Sequence, residues 1–175
     1  MLGDELGCAD RSDAIQCLVD LFSPSDFYQL DLCDWMTIED LKSGSGDFAE
    51  FTDEQVALGR PHNVLLGYRA MDNPAATAYA SPINFVTEDF PRALYLHGIP
   101  DKIVPFTQSV SMWRKVNSVC GEERAHIELF PEAGHGDPAM KTDEVMNRCL
   151  DFIDEVLWEG PRTRTPLPPD PRLID

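Results

Sequence analysis

Two short runs near the C-terminal end carry the residue types of a general base. One is Leu94-Tyr95-Leu96-His97-Gly98-Ile99-Pro100-Asp101-Lys102-Ile103-Val104-Pro105, and the other is Phe130-Pro131-Glu132-Ala133-Gly134-His135-Gly136. Each is an apolar, strand-like stretch that stops at a glycine-containing turn. An acid sits just past the first turn and a histidine inside the second. A carboxylate that fixes an imidazole tautomer, and an imidazole that takes a proton from a hydroxyl, together turn a serine into a nucleophile. The serine itself is missing, because no Gly-x-Ser-x-Gly occurs anywhere in the sequence. Ser45, between Gly44 and Gly46, is no substitute. A nucleophile elbow needs a buried strand ahead of it to strain the turn, and Leu41-Lys42-Ser43 is not one.

Alternating strands and helices must position these turns. Ala14 to Phe22 reads as a buried parallel strand, ended by Ser23-Pro24-Ser25-Asp26. Residues 27–50 are aromatic and acidic with a Ser43-Gly44-Ser45-Gly46 break, and predict an excursion over the top of the sheet. Thr52-x-x-Gln55 predicts a capped helix through Leu58, and Asn73-Pro74 starts another that stops before Ser81-Pro82. Arg92 to His97 is a second strand and His126 to Phe130 a third. Between them Phe106, Val110, Trp113, Val116 and Cys120 recur at helical spacing up to Gly121. Val145, Cys149, Ile153 and Val156 mark a final amphipathic helix, with Asp143 and Glu144 at its positive end. The order predicts an α/β fold, a parallel sheet with helices on its faces, whose sites lie beyond the carboxyl ends of the strands. Asp101 and His135 both fall there. Residues 1–159 read as one domain opening on a polar loop; residues 160–175, with five prolines, read as an extended tail.

Composition narrows the partners. The formal charge of the 175 residues is −17, and phosphate binding needs clustered Lys and Arg, so neither nucleic acid nor an anionic membrane is expected as a partner. No apolar run reaches the roughly 18 residues of a membrane span, and no signal region follows Met1. The five cysteines (Cys8, Cys17, Cys33, Cys120, Cys149) lack C-x-x-C or zinc-like spacing and read as free thiols, with Cys17 and Cys149 as small buried hydrophobes. A cytoplasmic protein without metal or cofactor is the expectation.

Four stretches resemble the C-terminal half of an α/β-hydrolase of the esterase and lipase branch, the one that includes feruloyl and acetyl esterases. They are Val19-Asp20-Leu21-Phe22-Ser23-Pro24-Ser25-Asp26-Phe27; Leu65-Leu66-Gly67 with Asn73-Pro74 and Ala80-Ser81-Pro82-Ile83; His97-Gly98-x-x-Asp101-x-x-Val104-Pro105 with Gln108-Ser109; and Gly134-His135-Gly136. Ile99 stands where many relatives carry a polar residue. The resemblance implies that Asp101 is the triad acid and His135 the general base, that His97 supports the acid turn from inside, and that His62 and His126 are structural or exposed. Phe27, Tyr28 and Trp35 are candidates to line an acyl or aryl pocket, although such aromatics also serve as plain packing. The nucleophile and the oxyanion-hole loop are then expected on a segment upstream of Met1, and the chain is expected to be either bound to a separate N-terminal piece or self-associated across strand 14–22. Two readings follow. One is a carboxylic ester hydrolase acting on a small ester and completed by that segment, the 175 residues alone being inactive; the other is a non-catalytic remnant or interaction module of the same fold. An upstream reading frame encoding Gly-x-Ser-x-Gly separates them.

Overall fold

Among the described residues three short strands run parallel in the order β1 (Cys17–Leu21), β2 (Arg92–Gly98), β3 (Ala125–Phe130). The computed structural model describes residues 14–33, 37–38, 52–121 and 123–158. The expected loop at 1–13, Cys8, Trp35, Ser45 with its glycine break, and the tail at 160–175 lie outside the described residues. Register pairs Val19 with Leu94 and Leu21 with Leu96, then Tyr95 with Ile127 and His97 with Leu129. Alternation then sends successive residues of β2 to opposite faces. Ala93 and Tyr95 join Met112 and Val116 of α5 (Thr107–Cys120) in one core. Leu96 joins Val145 and Cys149 of α6 (Asp143–Leu157) in the other, where Leu94, Val19 and Leu21 pack against them. With both faces covered, the strands read as near-continuous apolar runs, as parallel strands do.

Local chemistry sets the helix boundaries. Asp26 caps α1 (Phe27–Leu32) by accepting the Gln29 N–H at 3.0 Å. Thr52 and Gln55 form the expected capping box of α2 (Asp53–Ala57). Asn73 caps α4 (Pro74–Ala80), with Pro74 at its first position. Between α2 and α4 lies α3 (Pro61–Leu66), which the sequence reading passed over although Pro61 and a left-handed Gly67 bracket it as start and stop signals. Among the described residues three single-turn 3-10 helices (Ala70–Asp72, Pro82–Phe85, Pro138–Lys141) join the elements. The first part of the expected excursion is therefore helical.

Two strand boundaries need correction. The strand expected over 14–22 covers only Cys17–Leu21, because the pairing with β2 starts at Cys17, which faces Arg92, the first residue of that strand. Ile15 is accordingly 59% exposed. At the other end Phe22 leaves the strand conformation, with φ at +52°. β3 starts one residue earlier than expected because Ala125 is held from the side. Its N–H donates to Asn117 Oδ1 (2.8 Å), and its carbonyl accepts from Asn117 Nδ2 and Trp113 Nε1 (3.0 Å each). The Asn117 amide thus stands in for a neighbouring strand at the start of an edge. Among the described cysteines all four are free thiols; Cys149 is buried, but Cys17, expected inside, is only half-buried on the outer strand. No helix among the described residues is long and apolar enough to cross a membrane.

Replacing Asn117 with Ala removes the bonds it makes to Ala125. The expected cost is about 1–2 kcal/mol of unfolding free energy, read from urea denaturation with an unchanged m-value.

Candidate active site

Beyond the carboxyl end of β2 the chain turns through Ile99 and Pro100 to Asp101, whose side chain is fully buried. Burying a carboxylate is costly unless its oxygens are satisfied. Here Oδ1 accepts the N–H groups of Ile103 (2.8 Å) and Val104 (2.9 Å), and Oδ2 accepts from His135 Nδ1 (2.8 Å). His97 Nε2 lies 3.3 Å from the same Oδ2. Burial alone raises the Asp101 pKa. The hydrogen bonds from His135, His97, Val104 and Ile103 outweigh it and hold the carboxyl well below its ordinary value of 3.8.

Each turn residue has a reason to be where it is. His97 Nε2 also lies 2.8 Å from the Val104 carbonyl, which only accepts, so that nitrogen carries the proton. Nδ1 of a neutral His97 then accepts from the Ser109 hydroxyl at 2.7 Å. A β-carbon on Gly98 would stand 1.8 Å from the Ala133 carbonyl oxygen, so the two turns meet main chain to main chain only because residue 98 has no side chain. Gln108 Oε1 accepts the N–H groups of Ser25 (2.9 Å) and Asp26 (2.8 Å), tying the loop after β1 to the head of α5.

His135 differs from His97 in one decisive respect. Its side chain is 29% exposed, whereas His97 is fully buried. With Nδ1–H donated to Asp101, Nε2 of His135 carries the lone pair, the state a general base needs. Ser109, His97 and Asp101 also form a hydroxyl–imidazole–carboxylate series, but all three are buried and no substrate reaches the hydroxyl.

The remaining candidates separate. Phe27 is buried, stacks on His62 (6.3 Å between centroids, 15° between planes) and lines an apolar pocket of about 230 Å³ with Pro24, Leu30, Leu65, Ile103 and Val104. Tyr28 is half-exposed and takes no part in that lining. His62 is structural, buried against Asp31 at 3.1 Å, and its pKa is lowered because burial outweighs that partner. His126 is exposed. Sequence reasoning missed Phe22, whose ring lies edge-on to His135 with centroids 4.6 Å apart. Nothing in a phenylalanine announces a left-handed backbone.

The profile of the BD-FAE family, an esterase and hydrolase family, matches residues 5–116, well over half of the 175. The chain belongs to the BD-FAE family. The matched span includes the acid turn and ends ahead of His135. No curated protein matches the sequence. Among solved structures, a truncated carbohydrate esterase from gut microbiota is 25% identical with a TM-score of 0.64, the match covering 85% of this chain and 45% of that one. A bifunctional GH43-CE protein of Bacteroides eggerthii is 20% identical with a TM-score of 0.62, over 85% of this chain and 18% of that one. An acylaminoacyl peptidase bound to a chloromethyl ketone is 17% identical with a TM-score of 0.54, over 88% and 22%. The BD-FAE chain therefore has the α/β-hydrolase fold and spans less than half the length of each of these proteins.

Two substitutions test the site. Gly98→Ala forces the Ala133 main chain away. The expected loss is about 1–3 kcal/mol or more on urea unfolding, together with displacement of the His135 imidazole signals in NMR spectra. Asp101→Asn lowers stability at neutral pH by about 1–3 kcal/mol. Because the folded-state pKa of Asp101 is depressed, its ionised form stabilises the protein above the unfolded value of 3.8, and that contribution is lost as pH falls through the lower folded value. The gap between wild type and Asp101→Asn in unfolding free energy is therefore expected to narrow below about pH 4.

Proposed function

We propose that this chain supplies the acid and the general base of a serine-type carboxylic ester hydrolase, Asp101 and His135, to a nucleophile carried on a segment other than these 175 residues. The hydrogen bond of 2.8 Å between His135 Nδ1 and the buried Asp101 carboxylate carries the reading, because it sets the tautomer on a ring that is partly open to solvent. In the reaction His135 Nε2 takes the proton of a serine hydroxyl as its oxygen attacks the ester carbonyl. The imidazolium then gives that proton to the departing alkoxide, leaving an acyl-enzyme. Water, deprotonated by the same nitrogen, releases the acid and restores the serine. Asp101 stays ionised throughout and stabilises the imidazolium.

The substrate class is a small ester. Its apolar acyl or aryl end fits the pocket between Phe27, Leu30 and Leu65, one wall of which is Ile103 and Val104, the residues whose N–H groups hold Asp101. The carrier of the nucleophile is expected to join the sheet beside β1, an outer strand with β2 on its one paired side among the described residues. The lack of any Gly-x-Ser-x-Gly favours a second reading, a non-catalytic member of the fold that uses the same edge for association.

Activity and labelling decide between them. The 175-residue chain alone is expected neither to hydrolyse short aryl esters nor to be labelled by a fluorophosphonate. A fusion that places a strand and a Gly-x-Ser-x-Gly elbow ahead of β1 is expected to gain both. His135→Ala in that fusion is expected to lose at least about 1,000-fold in kcat. A folded fusion that is not labelled would favour the non-catalytic reading, and labelling of the unfused chain would place the nucleophile within it.

A further inference from the structure

We infer that Phe22 is a positioning residue for His135, held in a left-handed backbone so that its ring fixes the orientation of the imidazole. The inference rests on the reading of His135 as the base, but its observations are separate.

Phe22 has φ at +52°, a region that glycine or asparagine enters easily and that costs a bulky residue about 1–3 kcal/mol. Two bonds fix this conformation: the Phe22 N–H donates to the Leu96 carbonyl (3.0 Å), and the Ser23 N–H donates to Asp20 Oδ1 (3.1 Å). A turn of this shape needs no aromatic side chain. Glycine would make it at lower cost, so the ring is the part that requires explanation.

The ring sits at the edge of the core formed by Leu96, Ala133 and Met140, and is itself only half-buried. It touches both imidazoles of the site, His135 at 4.6 Å with planes at 63° and His97 at 6.5 Å with planes at 81°. His97 is already fixed at both nitrogens by Ser109 and Val104, and has no need of a further support. His135 is anchored at Nδ1 alone among its described hydrogen bonds. One bond leaves a ring free to swing about that anchor; an aromatic surface packed edge-on against it removes the swing. A base displaced by about 1 Å loses about 100-fold in rate, which is the scale of effect the contact would protect.

The experiment is NMR on the 175-residue chain, following the His135 Nδ1–H proton and the ring protons of both histidines. Phe22→Gly keeps the backbone conformation and removes the ring. The expected result is a chain that still folds, at least about tenfold faster exchange of the His135 Nδ1–H, and loss of the ring-current shift on His135. The His97 Nε2–H, held by Val104, is expected to remain protected. Phe22→Tyr, which restores the ring, is expected to restore the wild-type His135 signals; Phe22→Asn, at ease in the left-handed region, repeats the ring deletion should the glycine variant not fold. Unchanged His135 exchange in a folded Phe22→Gly or Phe22→Asn chain would overturn the inference, as would equal loss of protection at His97, which would mean general loosening. None of these readouts needs a nucleophile, so failure of the fusion to hydrolyse esters counts against the functional reading alone.

Discussion

A fully buried carboxylate that must stay ionised is the constraint around which the rest is arranged. Asp101 accepts from two backbone N–H groups and two imidazoles, and each donor draws a separate part of the chain toward it. The Ile103 and Val104 donors require a tight turn directly after β2. His97 comes from β2 itself and is locked by Ser109 from the first turn of α5. His135 arrives from beyond β3. Remove the carboxylate and four donors lose their acceptor together, so Asp101 holds the carboxyl edge of the sheet together.

This view explains why two histidines against one oxygen have different fates. Both are placed by the same carboxylate, yet His97 spends both nitrogens on internal partners and His135 spends one. A buried imidazole bonded at both nitrogens is a strut. One bonded at a single nitrogen, with its ring partly open to water, can exchange protons with something outside. Pairwise distance alone does not separate Ser109–His97–Asp101 from a working triad; burial does.

Much of this was legible in the sequence where local rules apply. Thr52 and Gln55, Asn73-Pro74 and the stop at Gly121 gave helix ends because capping is decided within a few residues. The acid and histidine turns were readable because strand, glycine and charged residue follow in order, and the span of the family match includes the acid turn. Contacts between distant segments were not readable. The early start of β3 depends on Asn117 reaching across from α5, and the end of β1 depends on a backbone sign at Phe22 that no side-chain pattern encodes. α3 was missed for a different reason, since Leu65-Leu66-Gly67 was read for its likeness to a family signature and not for the proline and glycine around it.

The main-chain meeting of Gly98 and Ala133 has a consequence for how this protein tolerates change. Asp101 and His135 are 34 residues apart in the chain, yet their spacing is set by two backbones in contact, not by what lies between. The outer face of α5 can therefore vary widely without the Asp101–His135 pair sensing it. Position 98 cannot accept even one carbon. Sequence drift and deliberate redesign alike have a broad neutral territory here, bounded by a point of almost no tolerance.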